Sequence, residues 1–185
     1  MDPTLDEART RLKQLYLERA ISFGTFTLAS GKTSGYYINS KKVLFHGEAI
    51  ALLGELLYQA TSDLPLQAIG GLEVGAIPMA AAAAMRYHQH GRPMEGFFVR
   101  KEAKGHGSKQ RIEGEVKSGD RVAVIDDVLT TGGSVVQAIA EVEKLGAKVE
   151  RVVCIVDRLQ GAREALSEYD FRPLFTIRDF GISGD

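Results

Sequence analysis

The sequence of 185 residues contains only one cysteine, Cys154. A single cysteine excludes an intrachain disulfide and any metal site built from several cysteines. Long apolar runs are missing as well, since no stretch approaches the ~18 consecutive apolar residues of a membrane-spanning helix. Residues 1–7 are acidic and lack the basic and apolar regions of a signal peptide. We therefore expect a cytoplasmic protein without a membrane partner.

An excess of positive charge is also missing. Lysine and arginine number 23, and aspartate and glutamate number 24, which gives a net charge of −1. Proteins that hold nucleic acid by neutralising phosphates normally carry a basic excess, so we expect no nucleic-acid partner. The hydrophobic fraction of 44% and the charged fraction of 25% are close to globular averages. The length fits a single domain over residues 1–185.

From about residue 66 onward, patterns typical of strands alternate with patterns typical of helices. This alternation predicts an α/β fold with a parallel sheet covered by helices on both faces. The N-terminal third does not alternate, so we expect an added subdomain formed by about residues 1–45. The predicted helices cover 5–20, 48–60, 77–90, 133–145 and 161–168. The predicted strands cover 66–70, 96–100, 121–128, 148–156 and 174–177. Residues 23–40 are predicted to form short strands around a turn at 30–32, and residues 101–119 are predicted to form a polar loop.

The most informative segment is residues 121–135, where a buried strand ends in two carboxylates and a helix follows. In an open parallel sheet, ligands bind beyond the carboxyl ends of the strands, and a helix N-terminus suits an anion. Two carboxylates beside an anion site fit a ligand that also carries sugar hydroxyls or a divalent cation, as a ribose phosphate does. A helix-capping turn is the other interpretation, because Asp and Thr are common at such turns. The polar and glycine positions concerned are Asp126, Asp127, Thr130, Thr131, Gly132, Gly133 and Ser134.

A second segment, residues 100–107, is a local cluster of basic residues interleaved with glycine. Such a cluster suits a pyrophosphate leaving group, because negative charge builds on it as its bond to a sugar breaks. A loop that closed over the substrate would also exclude water. A solvated, charged loop is the alternative interpretation. The basic residues are Arg100, Lys101, Lys104 and His106.

These motifs resemble those of a known family. Residues 124–134 are similar to the phosphoribosyl pyrophosphate (PRPP) signature of type I phosphoribosyltransferases. The order Arg-Lys-x-x-Lys-x-His-Gly from Arg100 resembles the catalytic loop of the orotate phosphoribosyltransferases. Residues 26–39 and the pair Asp157-Arg158 resemble the base-binding motifs of that family, and residues 70–78 resemble its pyrophosphate loop. The resemblance implies the type I fold, with a mostly parallel central sheet flanked by helices and a small N-terminal hood.

The resemblance also implies a reaction and its residues. The 5-phosphoribosyl group of PRPP would pass to N1 of orotate in pyrimidine nucleotide synthesis, with Mg²⁺ carried by PRPP near the two aspartates. A homodimer is implied in which Arg100, Lys104 and His106 reach the neighbouring subunit's site. The implied catalytic residues are Lys101, Lys104, His106 and Asp127. The implied PRPP-binding residues are Arg100, Lys101, Lys104, His106, Asp126, Asp127, Val128, Leu129, Thr130, Thr131, Gly132, Gly133 and Ser134. The implied orotate-binding residues are Thr130, Arg158, Tyr37 and Ile38.

Two departures from the family pattern concern cations. Many members carry lysine where Ala29 stands and Tyr-Lys where Val74 and Gly75 stand, so we expect fewer fixed cations around the pyrophosphate. Two other functions stay open: transfer to a different base, and a non-catalytic regulator that binds PRPP. Arg158, a planar fork suited to a carboxylate, disfavours the first, and the complete basic cluster disfavours the second.

Overall fold

The N-terminal part of the protein forms a helix followed by a small antiparallel sheet. The computed structural model describes residues 4–27, 33–102 and 111–183. Helix α1 begins after Thr4, whose side chain accepts a hydrogen bond from the Glu7 backbone while the Glu7 carboxylate accepts from the Thr4 backbone. This reciprocal cap fixes the start of the helix. The elements are α1 (Leu5–Leu15), a π-helical turn (Tyr16–Ala20), β1 (Ile21–Thr27), β2 (Thr33–Ile38) and α2 (Lys41–Leu44).

A six-stranded sheet forms the centre of the molecule. Its strands are β3 (Ala68–Leu72), β4 (Glu95–Val99), β5 (Ile112–Glu113), β6 (Arg121–Leu129), β7 (Lys148–Asp157) and β8 (Phe171–Thr176). Their spatial order is β5-β4-β3-β6-β7-β8, and every neighbouring pair is parallel except β4 and β5. The predicted α/β fold is therefore confirmed.

Helices cover both faces of this sheet. Consecutive residues of β6 belong to different apolar clusters: Ile125 packs in the cluster that includes α1, and Val124 packs in the other. Both residues are fully buried, as expected for a strand covered on two faces. The remaining helices are α3 (Gly47–Thr61), α4 (Ala76–Gln89), α5 (Gly133–Lys144), α6 (Ala162–Ala165) and a 3-10 turn (Ile177–Phe180).

The structure departs from the sequence prediction in several places, among them the short helix α2, the π-helical turn and the start of β3. The short strand β5 lies inside the predicted loop 101–119, where it pairs with β4. Helix α6 is shorter than the predicted helix over 161–168, and β8 begins before residue 174. The predicted turn at 30–32 lies outside the described residues. Within the described ranges, no helix is long and apolar enough to cross a lipid bilayer.

Candidate active site

The carboxyl ends of four parallel strands meet at one edge of the sheet. The chain runs outward from β3 to β4 and then returns to the other side of β3 as β6. Strand order therefore reverses between β3 and β6, which is where open α/β sheets bind ligands. In spatial order, the residues that follow these ends are Arg100 and Lys101 after β4, Glu73 to Gly75 after β3, Thr130 to Gly132 after β6, and Arg158 after β7.

The loop after β6 leads into the N-terminus of α5. Gly132 is the residue before the helix, with a φ of 85° that favours glycine, and no side chain caps the helix. The first turn contains no acidic residue, and Thr130 and Thr131 are exposed. The backbone N–H groups at this terminus are thus available to an anion. The alternative interpretation of Asp126 and Asp127 as a capping turn does not hold.

Asp126 is buried at the end of β6, with 6% of its surface exposed. One of its carboxylate oxygens accepts a hydrogen bond from Ser134 Oγ at 2.6 Å, and the other accepts from the Asp127 backbone at 2.9 Å. Burial raises the pKa of Asp126 to about 7, and the neighbouring charge of Asp127 adds to the effect. The site therefore favours a ligand that offers donors or positive charge to this carboxylate.

This raised pKa predicts how stability depends on pH. The unfolded chain ionises Asp126 near its ordinary pKa of 3.8, whereas the folded protein holds the proton up to about pH 7. The contribution of the Asp126 carboxyl to the free energy of unfolding is fully present below pH ~4 and is lost as the pH rises through ~7. The free energy of unfolding of Asp126→Asn minus that of wild type should therefore increase by about 2–4 kcal/mol as the pH rises from 4 to 8. Urea unfolding in EDTA measures this, and a constant difference between the two proteins would contradict it.

Arg158 lies beside this loop because its backbone N–H donates to the carbonyl of Leu129 at 2.9 Å. Its guanidinium is buried against strand β2, where Nε donates to the Tyr36 hydroxyl at 2.9 Å. Nη2 is 3.4 Å from Ser34 Oγ, and the guanidinium carbon lies 4.6 Å from the Tyr36 ring centroid. Nη1 makes no hydrogen bond with any residue that the structure describes. A buried cation with a free donor at this edge can bind an anionic group.

Asp157 fixes the turn that carries Arg158. This carboxylate is fully buried, and one oxygen accepts a hydrogen bond from the Leu159 backbone at 2.8 Å. The other oxygen lies 3.3 Å from Arg163 Nε, in an ion pair that lacks hydrogen-bond geometry. Leu159 adopts a φ of 60°, which is uncommon for a residue other than glycine. The Asp157 hydrogen bond therefore holds an unfavourable backbone conformation that orients Arg158.

The loop between β3 and α4 packs directly against Asp127. A Cβ atom at position 75 would lie 2.6 Å from Asp127 Oδ1, so any side chain there would require the carboxylate to move. The backbone of the β3–α4 loop therefore lies close to this carboxylate. Asp127 itself is half-buried.

The basic cluster begins at the end of β4. Lys101 is exposed, and its backbone N–H donates to Glu73 Oε1 at 2.8 Å. Arg100 is half-buried, and its guanidinium lies 3.8 Å from the Glu113 carboxylate. Ala29, Lys104 and His106 lie outside the described residues. The structure thus brings the start of the cluster to the β3–α4 loop.

Two of the predicted orotate-binding residues lie on β2. Tyr37 is half exposed, with its ring 5.7 Å from that of Phe26, and Ile38 is partly buried. The neighbouring residue Tyr36, which is not among the predicted site residues, contacts Arg158 instead. The alternation of buried and exposed residues along β2 carries that signal, because it places Ser34 and Tyr36 on the face opposite to Tyr37. No cluster of His, Cys, Asp and Glu suited to a metal ion occurs among the described residues.

Comparisons with known proteins show similarity to phosphoribosyltransferases. Residues 40–181 match the family model of the phosphoribosyl transferase domain. An orotate phosphoribosyltransferase of Rhodopseudomonas palustris is 41% identical over 179 residues, covering 94% of this chain and 96% of that protein. Orotate phosphoribosyltransferase of Mycobacterium tuberculosis, solved with Fe(III) dicitrate, superposes with a TM-score of 0.84 at 37% identity, covering 95% of this chain and 99% of that one. The same enzyme solved with PRPP gives a TM-score of 0.80 at 34% identity, with the same coverage.

Proposed function

The chain belongs to the phosphoribosyltransferase family and, within it, to the orotate phosphoribosyltransferases, and from this premise we propose how its site works. It transfers the 5-phosphoribosyl group of PRPP to N1 of orotate, which yields orotidine 5′-monophosphate and pyrophosphate for pyrimidine nucleotide synthesis. The supporting observation is the pairing of an anion site at α5 with a buried, partly free guanidinium at Arg158. Orotate carries a carboxylate that this guanidinium can bind.

PRPP occupies the edge of β6 in this proposal. Its 5′-phosphate accepts hydrogen bonds from the N–H groups and hydroxyls of residues 130–134, and backbone groups of Val128 and Leu129 line the approach. The carboxylates of Asp126 and Asp127 accept hydrogen bonds from the ribose hydroxyls and hold the substrate's Mg²⁺ nearby, which suits a hard cation with oxygen ligands. Mg²⁺ brought with PRPP and held beside these carboxylates would neutralise charge on the pyrophosphate.

Pyrophosphate leaves from the opposite end of PRPP. Lys101, at the end of β4, supplies positive charge that stabilises the departing group as the sugar gains cationic character. Because the reaction is a direct displacement, the protein contributes positioning and charge rather than a covalent intermediate. Thr130, Tyr37 and Ile38 border the base, while Arg100, Lys104 and His106 complete the pyrophosphate site.

An absorbance assay of orotate with PRPP and Mg²⁺ tests this function, with uracil, hypoxanthine and adenine as parallel substrates. We expect consumption of orotate alone. Consumption of a different base would assign the protein to another branch of the family. Binding of PRPP without turnover of any base would assign it as a regulator.

We also propose that the protein works as a homodimer with shared active sites. An exposed apolar stripe supports this: Ile77, Ala81 and Met85 follow one another at helical spacing on α4 and all are exposed. Exposed apolar patches commonly mark protein interfaces. The stripe starts two residues after Gly75, so a partner bound there would lie close to the site and could supply Arg100, Lys104 and His106.

Met85→Glu should convert the dimer to a monomer and remove most of the activity, because the charge would be buried without a partner. Light scattering after size-exclusion chromatography measures the mass. Leu5→Glu is the matched control, since Leu5 is 48% exposed and Met85 is 52% exposed, both on helices. A fully active wild-type monomer would contradict the proposal.

We propose a cytoplasmic location for the protein. Its single cysteine, Cys154, is fully buried in β7 and unpaired. Burial raises the pKa of its thiol, which keeps the sulfur protonated and unreactive. Because a single cysteine cannot form an intrachain disulfide, the fold does not depend on an oxidising compartment, and imaging of a fluorescent fusion tests the location.

A further inference from the structure

Arg111 makes three hydrogen bonds to three different residues. Its Nε donates to the carbonyl of Arg100 at 2.9 Å, and Nη2 donates to the carbonyl of Lys101 at 2.7 Å. Nη1 donates to Glu141 Oε1 of helix α5 at 3.1 Å. The Arg111 side chain is 18% exposed and that of Glu141 is 20% exposed, so this ion pair is partly shielded from water. A planar guanidinium with these bonds has little freedom to move.

The backbone of Lys101 is held from two directions as a result. Its N–H donates to Glu73 Oε1 at 2.8 Å, and its carbonyl accepts from Arg111. The preceding residue, Arg100, donates its N–H to the Arg111 carbonyl at 2.8 Å, which continues the antiparallel pairing of β4 with β5. The segment is therefore tied to the β3–α4 loop on one side and to α5 on the other.

These attachments link the two ends of the substrate site. Helix α5 presents the anion site at its N-terminus, and the β3–α4 loop contacts Asp127 through Gly75. We propose that Arg111, anchored by Glu141, is a positioning residue that directs the Lys101 side chain toward the pyrophosphate end of PRPP. The inference deepens the proposed function and rests on it. Arg111 itself touches backbone rather than substrate, and a lysine could not reach all three acceptors from one nitrogen.

Arg111→Met, which keeps an unbranched apolar stem and removes the guanidinium donors, tests this assignment. We expect kcat to fall about 10- to 100-fold, the cost of a misplaced group, and the Kd for pyrophosphate with Mg²⁺ to rise. The KM for orotate should stay within about twofold, because the base site is separate. Arg111→Lys should restore only part of kcat. Circular dichroism establishes a temperature at which every variant is folded.

Arg121→Met is the matched control. Arg121 also forms a partly buried ion pair, with Nε 2.9 Å from Glu150 Oε1, but it lies at the start of β6, away from the strand ends that form the site. Its substitution should leave kcat and the Kd for pyrophosphate unchanged. Equal kinetic losses in both methionine variants would overturn the inference, since a loss of packing would then explain them.

The remaining outcomes separate the inference from the proposed function. The inference alone would be overturned if the wild type converts orotate and the Arg111→Met variant has a normal kcat and a normal affinity for pyrophosphate. A wild type that ignores orotate but binds pyrophosphate more tightly than Arg111→Met would support the inference and overturn the choice of base. A wild type that fails to bind pyrophosphate would overturn both.

Discussion

Arg158→Ala should raise the KM for orotate about 100-fold or more and leave the KM for PRPP nearly unchanged. A hydrogen bond to a charged group contributes about 1.5–3 kcal/mol, and the guanidinium offers two donors to the orotate carboxylate. The buried location of Arg158 strengthens this interaction, because water competes poorly there. Initial-rate kinetics with each substrate varied in turn measure the effect, and equal losses for both substrates would contradict the assigned role.

Graded substitutions around Arg158 sharpen this test. Arg158→Lys keeps the charge but loses the fork, so it should raise the KM for orotate by about tenfold. Tyr36→Phe removes the hydroxyl that accepts from Nε at 2.9 Å and should give a smaller increase, of about fivefold. Tyr169→Phe is the control: its hydroxyl contacts Glu143 on the exposed surface, and its kinetics should match those of wild type.

Thr131→Glu should reduce kcat/KM for PRPP by at least about 100-fold. The substitution places a carboxylate at the exposed entrance to α5, where the 5′-phosphate is proposed to bind, and two like charges ~4 Å apart repel by about 4 kcal/mol near a protein surface. The fold should survive, since an acidic residue at a helix N-terminus is stabilising by about 0.3–1 kcal/mol.

The control for this variant adds the same charge elsewhere. Thr10→Glu lies on the exposed face of α1 and should leave both kinetic constants at wild-type values. Thr131→Val separates charge from hydroxyl, and loss of one neutral hydrogen bond predicts a decrease of about tenfold or less. Normal PRPP kinetics in Thr131→Glu would show that the phosphate binds somewhere else.

The sequence predicted the features that depend on local patterns. The fully buried run Val122–Ile125, the two carboxylates that follow it and the glycine pair at the start of α5 lie within 12 residues of one another in the chain. Their order alone indicates a strand, a turn and a helix N-terminus. The structure confirms this arrangement. It also places the backbone of Gly75 beside the carboxylate of Asp127, which lies 52 residues further along the chain.

The features that escaped prediction depend on distant partners. Tyr36 and Arg158 are 122 residues apart, and nothing in the local pattern of either residue indicates their hydrogen bond. Arg111 lies in a polar stretch whose composition resembles a loop, and the two-residue strand Ile112–Glu113 is too short to produce a periodic signal. The attachment of Lys101 to α5 through Arg111 becomes apparent only once the folded chain brings these residues together.

The most direct test of whether the loop after β6 holds the sugar phosphate is calorimetry. PRPP with Mg²⁺ is titrated, in the absence of any base, into the wild-type protein and into the Thr131→Glu variant. We predict one binding site per chain in the wild type and no measurable heat in the variant. Absence of heat in the wild type, or equal affinity in the two proteins, would contradict the account.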